Sequence, residues 1–172
     1  MDSWAELFTY CPTTGVLRWR SDRPSEHFKT KASEAAWRKK SAGNPAGGKD
    51  SEGYIKVDVY GKRIPAHRIC WEMVCGPVPG GMVIDHINGN PSDNRLCNLR
   101  MATTAQNIRN SKLNKRSTTG LKGVTQKGSK WRAQIMVNRE RIVLGSFETP
   151  ESAHAAYCQA ALERFGEFAR NR

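Results

Sequence analysis

Apolar and polar positions change period several times along this chain, and the changes predict short elements joined by glycine- and proline-rich turns. Residues 4–20 hold two aromatic or aliphatic runs around Pro12-Thr13-Thr14-Gly15, and turn residues between such runs predict a β-hairpin. Residues 21–52 are polar and rich in Lys, Ser and Gly, which predicts an exposed connection carrying a short helix near Ala32–Lys40. Apolar and polar residues alternate from Gly53 to Tyr60, and Gly61-Lys62 then leads to Ile64, a second hairpin. An apolar stripe at Ile69, Trp71 to Met73 and Val74 fits a helix over Ala66–Val74, ended by Gly76-Pro77-Val78-Pro79-Gly80-Gly81.

Beyond that breaker, Met82-Val83-Ile84 reads as a strand with Asp85-His86 at its end. A turn-rich loop (Asn88–Arg95), a short Leu96–Met101 segment and a helix over Ala105–Lys112, capped by Thr103 or Thr104, come next. Residues 113–120 are polar and basic. Three strand-like runs then follow, Lys122–Gln126, Lys130–Val137 and Arg141–Ser146. The last helix has Thr149 as its cap, Pro150 at its first position, and Ala153, Ala156, Tyr157, Ala160 and Ala161 on one face. The expected class is α+β.

Charge adds a direction. The 172 residues carry a formal net charge of +12, and its distribution is uneven. Residues 94–139 contain no Asp or Glu but hold Arg95, Arg100, Arg109, Lys112, Lys115, Arg116, Lys122, Lys127, Lys130, Arg132 and Arg139. A solvated face usually mixes signs, so an acid-free block of this length points to a polyanionic partner, nucleic acid. Asn, Thr and Gly interrupt the block, which argues against a membrane-surface helix. No apolar run is longer than Ala155–Cys158, whereas a membrane-spanning helix needs about 20 apolar residues. Five cysteines without a Cys-x-x-Cys pair predict reduced thiols in a cytosol-like compartment rather than disulfides or a zinc ribbon.

Chemistry concentrates between Asp85 and Asn107. A carboxylate (Asp85), an imidazole (His86) and two amides (Asn98, Asn107) fall within 23 residues. Hard oxygen donors suit Mg²⁺ or Mn²⁺, and because Mg²⁺ fills its shell with water and substrate phosphate, Asp85 with the Asn107 amide oxygen would suffice. A neutral imidazole can take a proton from an attacking water. Metal and base together describe phosphodiester hydrolysis. Adjacent strand residues point to opposite faces, so Asp85 and His86 can serve one site only if the strand ends or bulges there.

Ile84-Asp85-His86-Ile87-Asn88-Gly89-Asn90-Pro91, Asn94-Arg95-Leu96, Asn98-Leu99-Arg100 and Thr104-Ala105-Gln106-Asn107-Ile108-Arg109-Asn110 together resemble an HNH endonuclease of the phage and intron homing type. Ala66-His67-Arg68-Ile69-Cys70-Trp71-Glu72 is similar to the segment leading into that motif. The resemblance implies a ββα-metal core, with His86 as general base, Asp85 and Asn107 on one divalent cation, and Asn98 bracing the loop that aims His86. The last metal position is often histidine in the family and is Asn107 here. Farther on, Thr119-Gly120-Leu121-Lys122-Gly123-Val124, Lys130-Trp131-Arg132-Ala133-Gln134-Ile135 and Leu144-Gly145-Ser146-Phe147-Glu148-Thr149 resemble an AP2 DNA-binding domain, a small three-stranded antiparallel sheet plus helix. Thr125, Met136 and Val143 stand where plant members carry basic or aromatic residues.

The implied organisation is an N-terminal hairpin and DNA-contacting extension (1–53), a nuclease domain (54–112), a basic linker (113–116) and an AP2-like domain (117–168). The expected cofactor is one divalent cation, Mg²⁺ with Mn²⁺ as the alternative. The expected partner is double-stranded DNA, bound by a monomer through Arg109, Lys112, Lys122, Lys127, Lys130, Arg132, Arg139 and Arg141. The expected location is the cytoplasm, that of the host cell if a phage encodes the chain. The rival reading is a non-catalytic DNA-binding regulator that keeps the nuclease fold as a scaffold.

Overall fold

The Ser3 hydroxyl accepts a hydrogen bond from the Ala5 N–H and caps a one-turn helix, α1 (Trp4–Leu7). The first apolar run therefore divides. Only β1 (Phe8–Cys11) pairs with β2 (Val16–Trp19), in the register Phe8↔Trp19 to Cys11↔Val16. The apolar and aromatic runs favoured strand throughout; the serine cap and the Trp4 Nε1 bond to Glu72 Oε2 (2.7 Å) favour a helix at its start. The computed structural model describes residues 3–110, 113 and 117–170, and the chain divides into two compact units, Met1–Ala102 and Thr103–Arg172.

In the first unit, residues 21–52 carry the short helix expected near Ala32–Lys40, and they also bury a side chain that their polarity did not predict. Helix α2 (Lys31–Ser41) opens on a capping box between Thr30 and Ser33. Buried Arg23 lies 4.8–5.8 Å from the ring centroids of Trp19, Phe28, Trp37 and Tyr60, a cation held by π-faces. Arg38 from α2 donates to the Ser21 and Arg23 carbonyls. The next sheet runs β3 (Gly48–Lys49), β4 (Ile55–Val59), β5 (Lys62–Pro65), all antiparallel. Tyr60 (φ 50°) and Gly61 (φ 75°) form the two-residue turn between β4 and β5, the positive-φ geometry whose twist matches a hairpin.

Helix α3 (Ala66–Cys75) follows directly and buries Ala66, Ile69 and Cys70, while Val74 faces out. One apolar cluster joins Leu7, Phe8 and Leu17 to Val57, Val59, Ile69, Ile84 and Leu99, so the N-terminal hairpin shares its core with the elements around Asp85 and His86. Strand β6 (Met82–His86) pairs with β7 (Leu99–Thr103), and the loop between them closes on a single 3₁₀ turn at Leu96–Asn98.

The second unit begins with α4 (Thr104–Arg109), capped by Thr103 in a capping box with Gln106. The sequence extended this helix to Lys112, which lies outside the described residues, as do residues 114–116 of the basic linker. Strands β8 (Val124–Lys127), β9 (Lys130–Val137) and β10 (Glu140–Phe147) form an antiparallel sheet of order β10-β9-β8. Helix α5 (Pro150–Phe165), with Thr149 as cap and Pro150 in its first turn, packs Ala153, Tyr157, Ala160 and Ala161 against that sheet. No helix among the described residues is long and apolar enough to cross a membrane.

The first hairpin presses on the β6–β7 loop at its turn. A Cβ on Gly15, which sits at φ +74°, would lie 2.5 Å from Arg95 N and 2.7 Å from Asn94 C. Gly43 has a similar φ, +70°, with nothing within 4 Å. Both Gly→Ala changes incur left-handed strain of about 1 kcal/mol, and only Gly15→Ala adds a backbone clash. Thermal melting should show Gly15→Ala destabilised well beyond Gly43→Ala; equal losses would mean the hairpin turn does not bear on the loop.

Candidate active site

Strand β6 ends at His86, and the two reactive side chains leave it in different directions, as strand alternation requires. Asp85 is 5% and His86 4% exposed. Asp85 Oδ2 accepts from Arg100 Nε (3.0 Å), with Nη2 at 2.9 Å, a cross-strand ion pair onto β7. His86 instead turns toward the loop, where its Nε2 lies 3.0 Å from Asn94 Oδ1. An amide oxygen can only accept, so Nε2 carries the hydrogen and Nδ1 the basic lone pair. Alternation does not separate the two groups electrically: the Asp85 carboxylate acts on both His86 and Tyr54.

The loop that supplies Asn94 is tied at several points. Asn98 donates from Nδ2 to Asn88 Oδ1 (3.1 Å) and to the Asp93 carbonyl (2.8 Å), and its Oδ1 accepts from the Asn88 N–H (3.0 Å). The Arg95 guanidinium bonds both Asp93 carboxylate oxygens and brings that carboxyl down to about 2. From outside, Tyr10 Oη donates to the Asn94 carbonyl (2.7 Å), and the Leu96 N–H donates to the Pro12 carbonyl (3.0 Å). Asn94 is left 2% exposed. Asn98 thus closes the loop, while the side chain at His86 Nε2 is Asn94, which the sequence placed in the motif without a role.

Two aromatic neighbours also went unassigned. The His67 ring meets His86 edge-on, centroids 4.9 Å apart at 78°, and Tyr54 lies 5.7 Å from His67 and 5.9 Å from His86. Burial is the main cause that lowers both imidazoles. It takes His67 to about 3, with His86, Lys56 and Arg68 adding to the effect, whereas for His86 the Asn94 bond, Asp85 and Asp93 oppose it. Arg100 had counted only as part of the cationic block.

The remaining expected residues fall in the second unit. Asn107 is half-buried on α4. The Arg109 guanidinium lies 4.6 Å from the Phe165 ring centroid. Lys122 is half-buried and donates from Nζ to the Arg109 carbonyl (2.8 Å), and burial lowers its pKa. Arg139 sits with Asn138 in the two-residue turn from β9 to β10. Lys127, Lys130, Arg132 and Arg141 share the sheet face turned away from α5. No group of three or more His, Cys, Asp or Glu that could hold a metal occurs among the described residues. The donors that remain, one buried carboxylate and amide oxygens, fit a hard cation that takes few protein ligands.

Because the folded protein holds His67 near 3 against an ordinary 6.5, it binds fewer protons than the unfolded chain between those values. Its contribution to stability is present above pH 6.5 and lost as pH falls from about 6.5 to about 3. Denaturant melts across this range should show His67→Phe with a shallower acid decline than wild type; identical slopes would contradict a buried neutral His67.

Residues 65–109 match the family model described as HNH endonuclease. Protein 3.8 of Escherichia phage T7 is 36% identical over 108 residues, 62% of this chain and 88% of that protein. The uncharacterized HNH endonuclease L560 of Acanthamoeba polyphaga mimivirus is 31% identical over 109 residues, 62% of this chain and 56% of its own length. Protein 7.7 of phage T7 is 39% identical over 61 residues, 36% of this chain and 47% of that protein. A solved structure of the HNH homing endonuclease I-HmuI, described as binding and cleaving DNA, aligns with TM-score 0.40 and 17% identity over 92% of this chain and 84% of its own. Asp85, His86, Asn94, Asn98 and Asn107 all lie inside the matched segment, and the chain carries an HNH endonuclease domain, the domain of DNA-cleaving hydrolases.

Proposed function

We propose that this protein is a divalent-metal-dependent endonuclease of the homing type that cuts double-stranded DNA, acting as a monomer in the cytoplasm of a host cell. The observation that carries this reading is the buried Asp85–His86 pair at the end of β6, with the Asn94 amide fixing the proton on Nε2 of the imidazole. His86 is the general base. Burial lowers its pKa, so it is neutral near pH 7 and Nδ1 takes a proton from water. As it does, the water oxygen forms its bond to phosphorus and the bond from phosphorus to the leaving sugar oxygen breaks; that oxygen takes a proton from solvent water, and the proton on His86 passes back to solvent. Arg100 orients Asp85. Asp85 and Asn107 would hold the cation, Mg²⁺ with Mn²⁺ as the alternative, which when bound stabilises charge on the phosphate and the leaving oxygen.

One motif per chain gives one cut strand per event, so a double-strand break needs a second event or a second copy. The second unit serves as an AP2-type DNA-binding module. Its sheet order, its helix across one face and the basic residues Lys127, Lys130, Arg132 and Arg141 on the other support that role. Phosphate contacts from this face would supply affinity and make it salt-dependent, with a slope of about −0.9 in log K per contact.

Supercoiled plasmid should open only in the presence of Mg²⁺ or Mn²⁺, and EDTA should stop the reaction. His86→Ala should lose about 10² to 10⁴ in rate while still binding DNA. Equal rates for the two proteins would refute the assignment, and binding without cleavage by the wild type would favour the regulator reading.

Asn94→Ala, which frees the ring without removing it, should lose about 10- to 100-fold. Asn94→Asp places a negative charge on Nε2 and favours the imidazolium. The base is then protonated at higher pH, so the acid limb of the rate profile should move upward from its wild-type position below 6.5. An unmoved limb would exclude His86 as the base.

A further inference from the structure

The outer face of the second unit's sheet carries two side chains that phosphate binding does not explain. Register sets the face: Thr125 stands opposite Arg132, Lys127 opposite Lys130, Arg141 opposite Met136, and Val143 opposite Gln134. Their alternates Val124, Ala133 and Ile135 are buried against α5. Met136 and Val143 are each 54% exposed, diagonal neighbours among cations. Of those cations Lys130 pairs with Glu148 (2.8 Å), whereas Arg132 and Arg141 make no ion pair among the described residues. Single exposed apolar side chains are ordinary. Two together, on a face whose other side chains are cationic or neutral and polar, call for a surface that is anionic overall and apolar at particular points.

The DNA major groove is such a surface. It admits a β-ribbon, its rims are phosphate, and the C5 methyl of thymine is the apolar group among its base edges. We propose that Met136 and Val143 contact thymine methyl groups in the major groove, so that the second unit selects DNA by its thymine methyls. The neighbours fit the same role. Gln134, directly across from Val143, has the amide that pairs with adenine N6 and N7, so an A·T pair offers a partner to both members of that rung. Arg141, directly across from Met136, suits guanine O6 and N7 on an adjoining pair. This inference rests on the reading of the second unit as a DNA-binding module.

Uracil pairs as thymine does and lacks the methyl, which gives the test. Random-sequence duplexes amplified with dTTP or with dUTP compete for the full-length protein in EDTA, where no cleavage interferes. The dTTP pool should be retained about three- to fourfold more strongly for each methyl contacted. Met136→Ala with Val143→Ala should bring the ratio close to one at an unchanged melting temperature, since both side chains are exposed. Equal retention by the wild type overturns the methyl contact. In that event, weaker binding of both pools by Arg132→Ala with Arg141→Ala shows that the sheet still docks on DNA, and unchanged binding shows that the module reading has failed. A thymine preference that survives loss of Met136 and Val143 overturns their assignment.

Discussion

Asn94 is held from both ends, and the geometry of His86 depends on it. Its amide oxygen meets His86 Nε2 at 3.0 Å, and its carbonyl receives the Tyr10 hydroxyl at 2.7 Å. The main-chain bond fixes the backbone, and turning the buried side chain would leave His86 Nε2 and the amide oxygen unpaired, at about 1–3 kcal/mol each. The N-terminal hairpin is therefore part of the site's support: Tyr10, the Pro12 carbonyl and the bare Cα of Gly15 all bear on the Asn94–Leu96 stretch. Asn98 provides the matching closure from inside the loop.

Electrostatics divide between the two units. Around His86 the structure favours neutrality, because His67 and Tyr54 pack against it and burial depresses both imidazoles. The two carboxylates that act on His86 are each matched by a cation, Asp85 by Arg100 and Asp93 by Arg95. The sheet of the second unit instead displays its cations to solvent, where they can act on a polyanion at range and lose strength with salt. The buried imidazoles and the exposed cations are thus built on separate elements.

Local patterns made much of this legible in the sequence. The capping residues Thr30, Thr103 and Thr149, the strand alternation of β9, and the alanine face of α5 each act within a few residues, so the chain states them directly. The Asp85–His86 dipeptide was visible for the same reason. What remained hidden depends on distance in the fold. Four asparagines, 88, 90, 94 and 98, occupy one loop, and nothing local says that Asn90 caps a turn through Ser92 while Asn94 meets His86. Arg100 reaches Asp85 only through the pairing of β6 with β7, and Arg23 looks like a solvated cation until Trp19, Phe28, Trp37 and Tyr60 surround it. The short helix α1 went unread because aromatic residues favour strands in isolation, whereas Ser3 and Glu72 decide otherwise.

Asn94 fixes the proton of His86 on Nε2 and leaves the lone pair on Nδ1. Nitrogen-15 NMR of the imidazole above pH 7, with the full-length protein labelled at histidine, reads this directly. The expected spectrum shows a protonated Nε2 and an unprotonated Nδ1 in the wild type, giving way to a mixture of tautomers in Asn94→Ala. A proton on Nδ1 in the wild type, or the same spectrum in both proteins, would contradict it.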